Sequence, residues 1–141
     1  MTTTTSLAPS RAKLPDSEKI TINLGFVDLG QIDLLVVESF YANRSDFIRT
    51  AIRNQVERHA EAARSAVQRR SLDLGLRHFT RSDLEAVRAE GRMIAIRVLG
   101  LASIAQDVSP ELARSSISHV SVLGVLQAST AVRAALADRM A

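Results

Sequence analysis

The sequence predicts an α+β chain built in two parts, and three observations carry that expectation. One alternating stretch, Lys19 to Phe26, leads into residues with helical periodicity that continue past His59. No second strand-like run lies near it. Beyond Ser71 the chain matches itself at a shift of 24 to 25 residues, as from Gly75 to Gly100 and from Gly100 to Gly124.

In the first stretch Ile20, Ile22, Leu24 and Phe26 alternate with Lys19, Thr21, Asn23 and Gly25, so one face suits a core and the other suits water or a ligand. A lone strand leaves its backbone donors and acceptors unpaired and does not stand by itself in water. Its simplest partner is the same strand from a second copy. The resulting antiparallel ribbon carries two sets of Lys19, Thr21 and Asn23 on its outer face, and a two-stranded ribbon fits the major groove of DNA.

A first helix is expected over Asp28 to Ser39, with Asp28 as N-cap and Leu29, Ile32, Leu35 and Val36 on the core face. Leu34 and Val37 widen that stripe beyond what one small monomer covers, as packing against a second subunit requires. Phe40-Tyr41-Ala42 then turns the chain. Asn43 is the expected N-cap of a second helix, and Asp46 completes a pair resembling a capping box. Phe47, Ile48, Ala51, Ile52 and Val56 recur at helical spacing and read as the core of a dimer. No stop signal stands at His59, so the helix is expected to run on to Arg70 as a rigid spacer. The free N–H groups and positive dipole at the second helix's start offer a phosphate site beside Arg44 and Ser45. The plainer reading is an ordinary cap with a solvated arginine.

The strand Ile20-Thr21-Ile22-Asn23-Leu24, the Ile32-Asp33 pair and the run Arg44 to Arg53 together resemble the ribbon-helix-helix family of DNA-binding regulators, the relatives of CopG, MetJ and Arc. Gly25-Phe26 stands where many members have a proline. The resemblance implies a homodimer on double-stranded DNA. It implies base reading by Lys19, Thr21 and Asn23, and a phosphate contact at Asn43, Arg44 and Ser45.

Three copies of the C-terminal repeat align. Leu72 to Leu76 precedes Ser82 to Val87; Ile96 to Leu101 precedes Ser109 to Ala113; Val120 to Val125 precedes Ser129 to Leu136. Each reads as a short strand ending near a glycine, a loop and a capped helix, with Ser109, backed by Pro110, and Ser129 as caps. Such a unit buries its apolar face only by stacking on its neighbours. Three units make a stack with open end strands, Val120 to Val125 being the candidate edge for assembly; a closed cap is the alternative.

Zero cysteine excludes disulfides and thiolate chemistry. His59, His78 and His119 are too far apart in sequence for metal-ligand spacing, and neither a nucleophile elbow nor a glycine-rich phosphate loop is present, so neither enzyme activity nor metal nor cofactor is expected. The net charge is only +3, but all basic residues except Lys13 and Lys19 are arginine, the residue whose planar fork suits phosphate. The start Met-Thr-Thr-Thr-Thr-Ser lacks the apolar core of a signal peptide, and the apolar runs are too short to span a bilayer; a cytoplasmic, nucleoid-associated protein with no membrane contact is expected.

The expected organisation is a flexible arm over 1–17, a DNA-binding and dimerising unit over 18–60, a helical linker over 61–70, and a repeat module over 71–141 for oligomerisation or a protein partner. Sequence-specific transcriptional regulation is the leading function. A self-assembling nucleoid scaffold and the antitoxin of a toxin-antitoxin pair are the alternatives. Antitoxin tails are usually short and disordered when free, whereas Ser71 to Ala141 has the makings of a fold.

Overall fold

A computed structural model describes residues 17–141; of the arm expected over 1–17, only Ser17 lies within them. The described chain is α+β. It runs α1 (Phe26–Val37), α2 (Arg44–Arg58), α3 (Ala60–Arg70), β1 (Asp73–Phe79), α4 (Arg81–Ala89), β2 (Ile94–Ile104), α5 (Pro110–Ser116), β3 (Ile117–Gln127) and α6 (Thr130–Ala135), with a closing 3-10 turn at Ala137–Arg139. No helix among the described residues is long and apolar enough to cross a membrane. Two compact units divide between Arg53 and Asn54, inside α2.

In the first unit residues 18–25 form no helix and pair with no strand among the described residues. Phe26, expected at the end of the strand, instead opens α1. Gly25 holds the N-cap position with extended backbone (φ −63°, ψ 150°), and Asp28 is the helix's third residue rather than its cap. Nothing in Phe26-Val27 opposes helical winding, so the helix starts two residues early, and the Asp28 carboxylate still lies in the first turn where the dipole favours it. α1 ends because Ser39 turns left-handed (φ 66°). The N–H groups of Ser39 and Phe40 then donate to the carbonyls of Val36 and Leu35 at 3.0 and 2.9 Å, a Schellman closure.

The second unit begins within α2. The expected continuous helix is interrupted at His59 (φ −103°, ψ 11°), whose N–H reaches only three residues back, to the Val56 carbonyl at 3.0 Å. Such a tightened turn ends one helix and lets α3 start anew without glycine or proline. α3 closes as α1 does, on a left-handed serine: Ser71 (φ 52°) and Leu72 donate to Gln68 and Val67.

β1, β2 and β3 form a parallel sheet in that order, with Gly75, Gly100 and Gly124 at one level. The strands do not end near these glycines, as the sequence reading expects, but pass through them; β2 continues to Ile104 and β3 to Gln127. All three glycines have positive φ (110°, 137° and 118°), and a Cβ on Gly100 or Gly124 would collide with the carbonyl oxygen of the preceding glycine in the column. Glycine thus permits a close backbone approach that any side chain would block, and the ladder survives.

The connecting helices start on side-chain caps. Ser109 accepts from the N–H of Leu112 and Ser129 from that of Val132, both at 3.1 Å, with Pro110 at the first position of α5. Thr80 caps α4 through a reciprocal box with Asp83, whose carboxylate accepts from the Thr80 N–H at 2.9 Å. Leu84 of α4, Leu112 and Ala113 of α5, and Val132 and Leu136 of α6 pack with Ile96, Val98, Ile104, Ile117 and Val120 of the sheet into one buried cluster. After α6 the chain returns to the sheet. Met140 bridges to Val120, and the Ala141 N–H donates to the Val120 carbonyl at 2.9 Å.

Candidate nucleic-acid interface

Lys19, Thr21 and Asn23 lie on the segment before α1 and are exposed, as are the apolar residues that alternate with them. Ile20 is 73% exposed and Phe26 is 94% exposed. Apolar groups of that size rarely stay so open unless another surface covers them. Ile32 is the sole buried hydrophobic residue of α1, and α2 has none; Leu34, Val37, Phe40, Ile52 and Val56 are all exposed.

Asn43, Arg44 and Ser45 come together at the start of α2, where local bonding fixes their backbone. The Asn43 side chain accepts from the Asp46 N–H at 2.8 Å, and the Asp46 carboxylate accepts in return from the Ala42 N–H at 2.9 Å. This is the expected reciprocal cap, displaced by one residue on its return bond. The Phe47 N–H bonds the Asn43 carbonyl, and Phe47 meets Tyr41 edge to face, with ring centroids 5.0 Å apart. Among the described residues the N–H groups of Arg44 and Ser45 find no acceptor. They are the free donors of this helix start.

Arg44 is not an isolated cation. Its Nε and Nη2 donate to the two carboxylate oxygens of Asp33 at 2.7 and 2.8 Å, tying α2 to α1. The hydrogen-bonded Arg44 guanidinium, aided by its charge, holds the Asp33 carboxyl below the usual carboxylate range. The fork aligns Arg44 and pairs its charge with that of Asp33, and among the described residues Nη1 has no hydrogen-bond partner. Asp33 is the residue that sequence reasoning misses as Arg44's partner: the two are eleven apart, a spacing set by the turn between helices rather than by a motif. No hydrogen bond links the Asn43–Ser45 group to Lys19, Thr21 or Asn23 among the described residues.

Arg64 pairs with Glu61 at 3.4 Å along α3, His59 lies 3.4 Å from the Gln55 amide, and His78 shares a 3.1 Å bond with Ser103. No group of three His, Cys, Asp or Glu side chains suited to a metal occurs among the described residues.

A family model described as the ribbon-helix-helix transcriptional regulator family matches residues 15–133. The chain belongs to the ribbon-helix-helix transcriptional regulator family. No curated protein and no solved structure matches it. The resemblance seen in the sequence covers only the first strand and two helices, but the family match continues through β1, β2 and β3 into α6. The parallel sheet is therefore inside the region that defines this ribbon-helix-helix family, not an addition beyond it.

Proposed function

We propose that the protein binds operator DNA as a homodimer, in which the segments around residues 19–25 of two copies pair as an antiparallel ribbon lying in the major groove. The observation that carries this reading is the nearly coreless first unit: an alternating segment without a strand partner, followed by helices whose apolar faces are open. A second copy answers both deficits at once. It supplies ladder partners for residues 19–25 and covers Ile20, Ile22, Leu24, Leu34 and Val37.

In that dimer Lys19, Thr21 and Asn23 face the base edges. Asparagine suits a bidentate contact to adenine, while Lys19 suits guanine. At the start of α2 the free N–H groups of Arg44 and Ser45 and the unengaged Nη1 of Arg44 hold a backbone phosphate, with Asn43 keeping the turn in shape. The C-terminal module, folded and bearing open strand edges, serves oligomerisation or a protein partner. Its ordered sheet favours a regulator over an antitoxin with a disordered tail.

The test compares variants on selected operator DNA. Asn23→Ala or Thr21→Ala weakens specific binding by about 1–3 kcal/mol and relaxes sequence preference, with folding unchanged. Arg44→Ala weakens all sequences alike and lowers the salt slope by about one for each phosphate the side chain no longer neutralises. Unchanged specificity in Asn23→Ala would show that another surface reads the bases.

A further inference from the structure

We propose that the parallel sheet continues from molecule to molecule: the free edge of β3 in one copy pairs in parallel with the free edge of β1 in the next, Gly124 of the first lying opposite Gly75 of the second. The inference deepens the assembly role proposed for the C-terminal module and rests on it.

The glycine column gives the direction and the register. Gly100 and Gly124 share one arrangement, in which the missing Cβ would occupy the place taken by the carbonyl oxygen of the glycine one strand earlier. Gly75 has the same left-handed backbone (φ 110°), yet nothing lies within 4 Å of where its Cβ would be. Among the described residues the conformation at Gly75 prepares a close approach that no strand makes. In the repeat, that place belongs to the carbonyl of a preceding glycine, and Gly124 is the member of the column with no strand after it. A second copy of β3 supplies the missing carbonyl.

The two free edges start at the same level. β1 pairs only with the downstream part of β2, from Val98 onward. Transferred to β3 in the glycine register, β1 of a neighbour would begin at Val122. Upstream of that point the protein closes the β3 edge itself, through Met140 and Ala141 at Val120. This tail is held by Arg114, which donates to Asp138 at 2.9 Å and to the Ala135 carbonyl at 2.6 Å, and by Arg139, which donates to the Ile117 carbonyl at 2.6 Å. Downstream, Arg133 donates to the Leu126 carbonyl. Between these closures Val122–Val125 keeps a free edge, and the neighbour's Asp73–Leu76 matches it residue for residue.

The side chains follow the same rows. Leu74, Leu99 and Leu123 align across the sheet, as do Leu76, Leu101 and Val125. On the outer strands Leu74 is 68% exposed, Leu76 73% and Leu123 49%, whereas Leu101, flanked by strands on both sides, is buried. The proposed register sets Leu123 beside Leu74 and Val125 beside Leu76, extending both rows. β1 and Val122–Val125 also lack the lysines and prolines that blunt strand edges against pairing. Joining unlike edges is a heterologous contact, so it generates rings or filaments rather than a twofold dimer.

The chain has no cysteine, which makes the pairing directly testable on the full-length protein. Leu74→Cys and Leu123→Cys are prepared as separate variants and oxidised alone and mixed; residues opposite each other in adjacent strands lie within disulfide reach. The mixture should cross-link, and neither variant should cross-link alone. Self-linking of either variant, as an antiparallel pairing of like edges would give, overturns the proposal, and so does an absence of linkage in the mixture. Adding Leu76→Lys to the Leu74→Cys variant should cut the linked fraction about tenfold by placing an unpaired charge in the interface, with circular dichroism unchanged. The DNA reading fails separately: operator binding without the cross-link sinks only this inference, and the cross-link without operator binding sinks only that one.

Discussion

The two units of this chain treat their apolar residues in opposite ways. In the second unit Leu84, Ile96, Val98, Ile117, Val132 and Leu136 are essentially sealed from water by one another. The first unit places residues of the same kind, Ile20, Ile22, Phe26, Leu34 and Val37, in the open and buries Ile32. Composition does not explain the difference. The second unit repeats its strand three times and so brings its own ladder partners, while the first has one alternating segment without a strand partner among the described residues, the deficit that the proposed dimer answers. Self-sufficiency here depends on how many copies of an element one chain holds.

The contrast breaks most visibly in the second unit's core. Leu84→Ala should destabilise that unit by about 2–5 kcal/mol, and by the same amount at every protein concentration, which denaturant unfolding at two dilutions would check. Gly100→Ala should cost about 3 kcal/mol, because it adds a backbone collision with Gly75 to an unfavourable φ. Gly75→Ala carries the φ penalty alone within one chain, so its unfolding midpoint should lie between those of wild type and Gly100→Ala. Measured at a dilution where copies are separate, a Gly75→Ala loss equal to that of Gly100→Ala would show that strain, not close approach, governs the column.

A smaller effect lies at the start of α4. Thr80→Ala removes the hydroxyl half of the capping box and should cost about 1 kcal/mol. The Thr80 backbone N–H and hydroxyl bonding hold the Asp83 carboxyl below its ordinary range. A carboxylate depressed in the folded state adds stability that is fully present above its unfolded pKa of about 3.9 and is lost as pH falls through the lower folded value. Acid titration of the second unit should therefore show a loss confined to pH below about 4, smaller in Thr80→Ala than in wild type. Asp33, lowered by Arg44, predicts the same window for the first unit, removed by Arg44→Ala.

How much of this was legible in the sequence divides along similar lines. The pairing of Gly100 with Gly124, and the caps Ser109, Ser129 and Asn43, could be read because repetition and short-range capping chemistry leave fixed spacings. The helix ends near Ser39 and at Arg70 were legible too, but their closure on left-handed Ser39 and Ser71 was not, because a left-handed serine carries none of glycine's signal. The break at His59 came from one tightened turn with no breaker residue. The Arg44–Asp33 fork and the return of Met140 to Val120 depend on tertiary geometry, and Arg114 and Arg139, which secure that return, look in sequence like ordinary solvated charges.

Amide hydrogen exchange on the full-length protein across a wide range of concentrations tests the central claim most directly, because both units are read in one sample. Residues 94–104 of β2 have their ladder within the chain and should stay protected at every dilution. Residues 19–25 should be protected at high concentration, in the alternating pattern of a ribbon strand, and lose that protection as the dimer dissociates. Protection of 19–25 that does not change with dilution, or none at any concentration, would contradict the claim that the first unit completes its structure on a second copy.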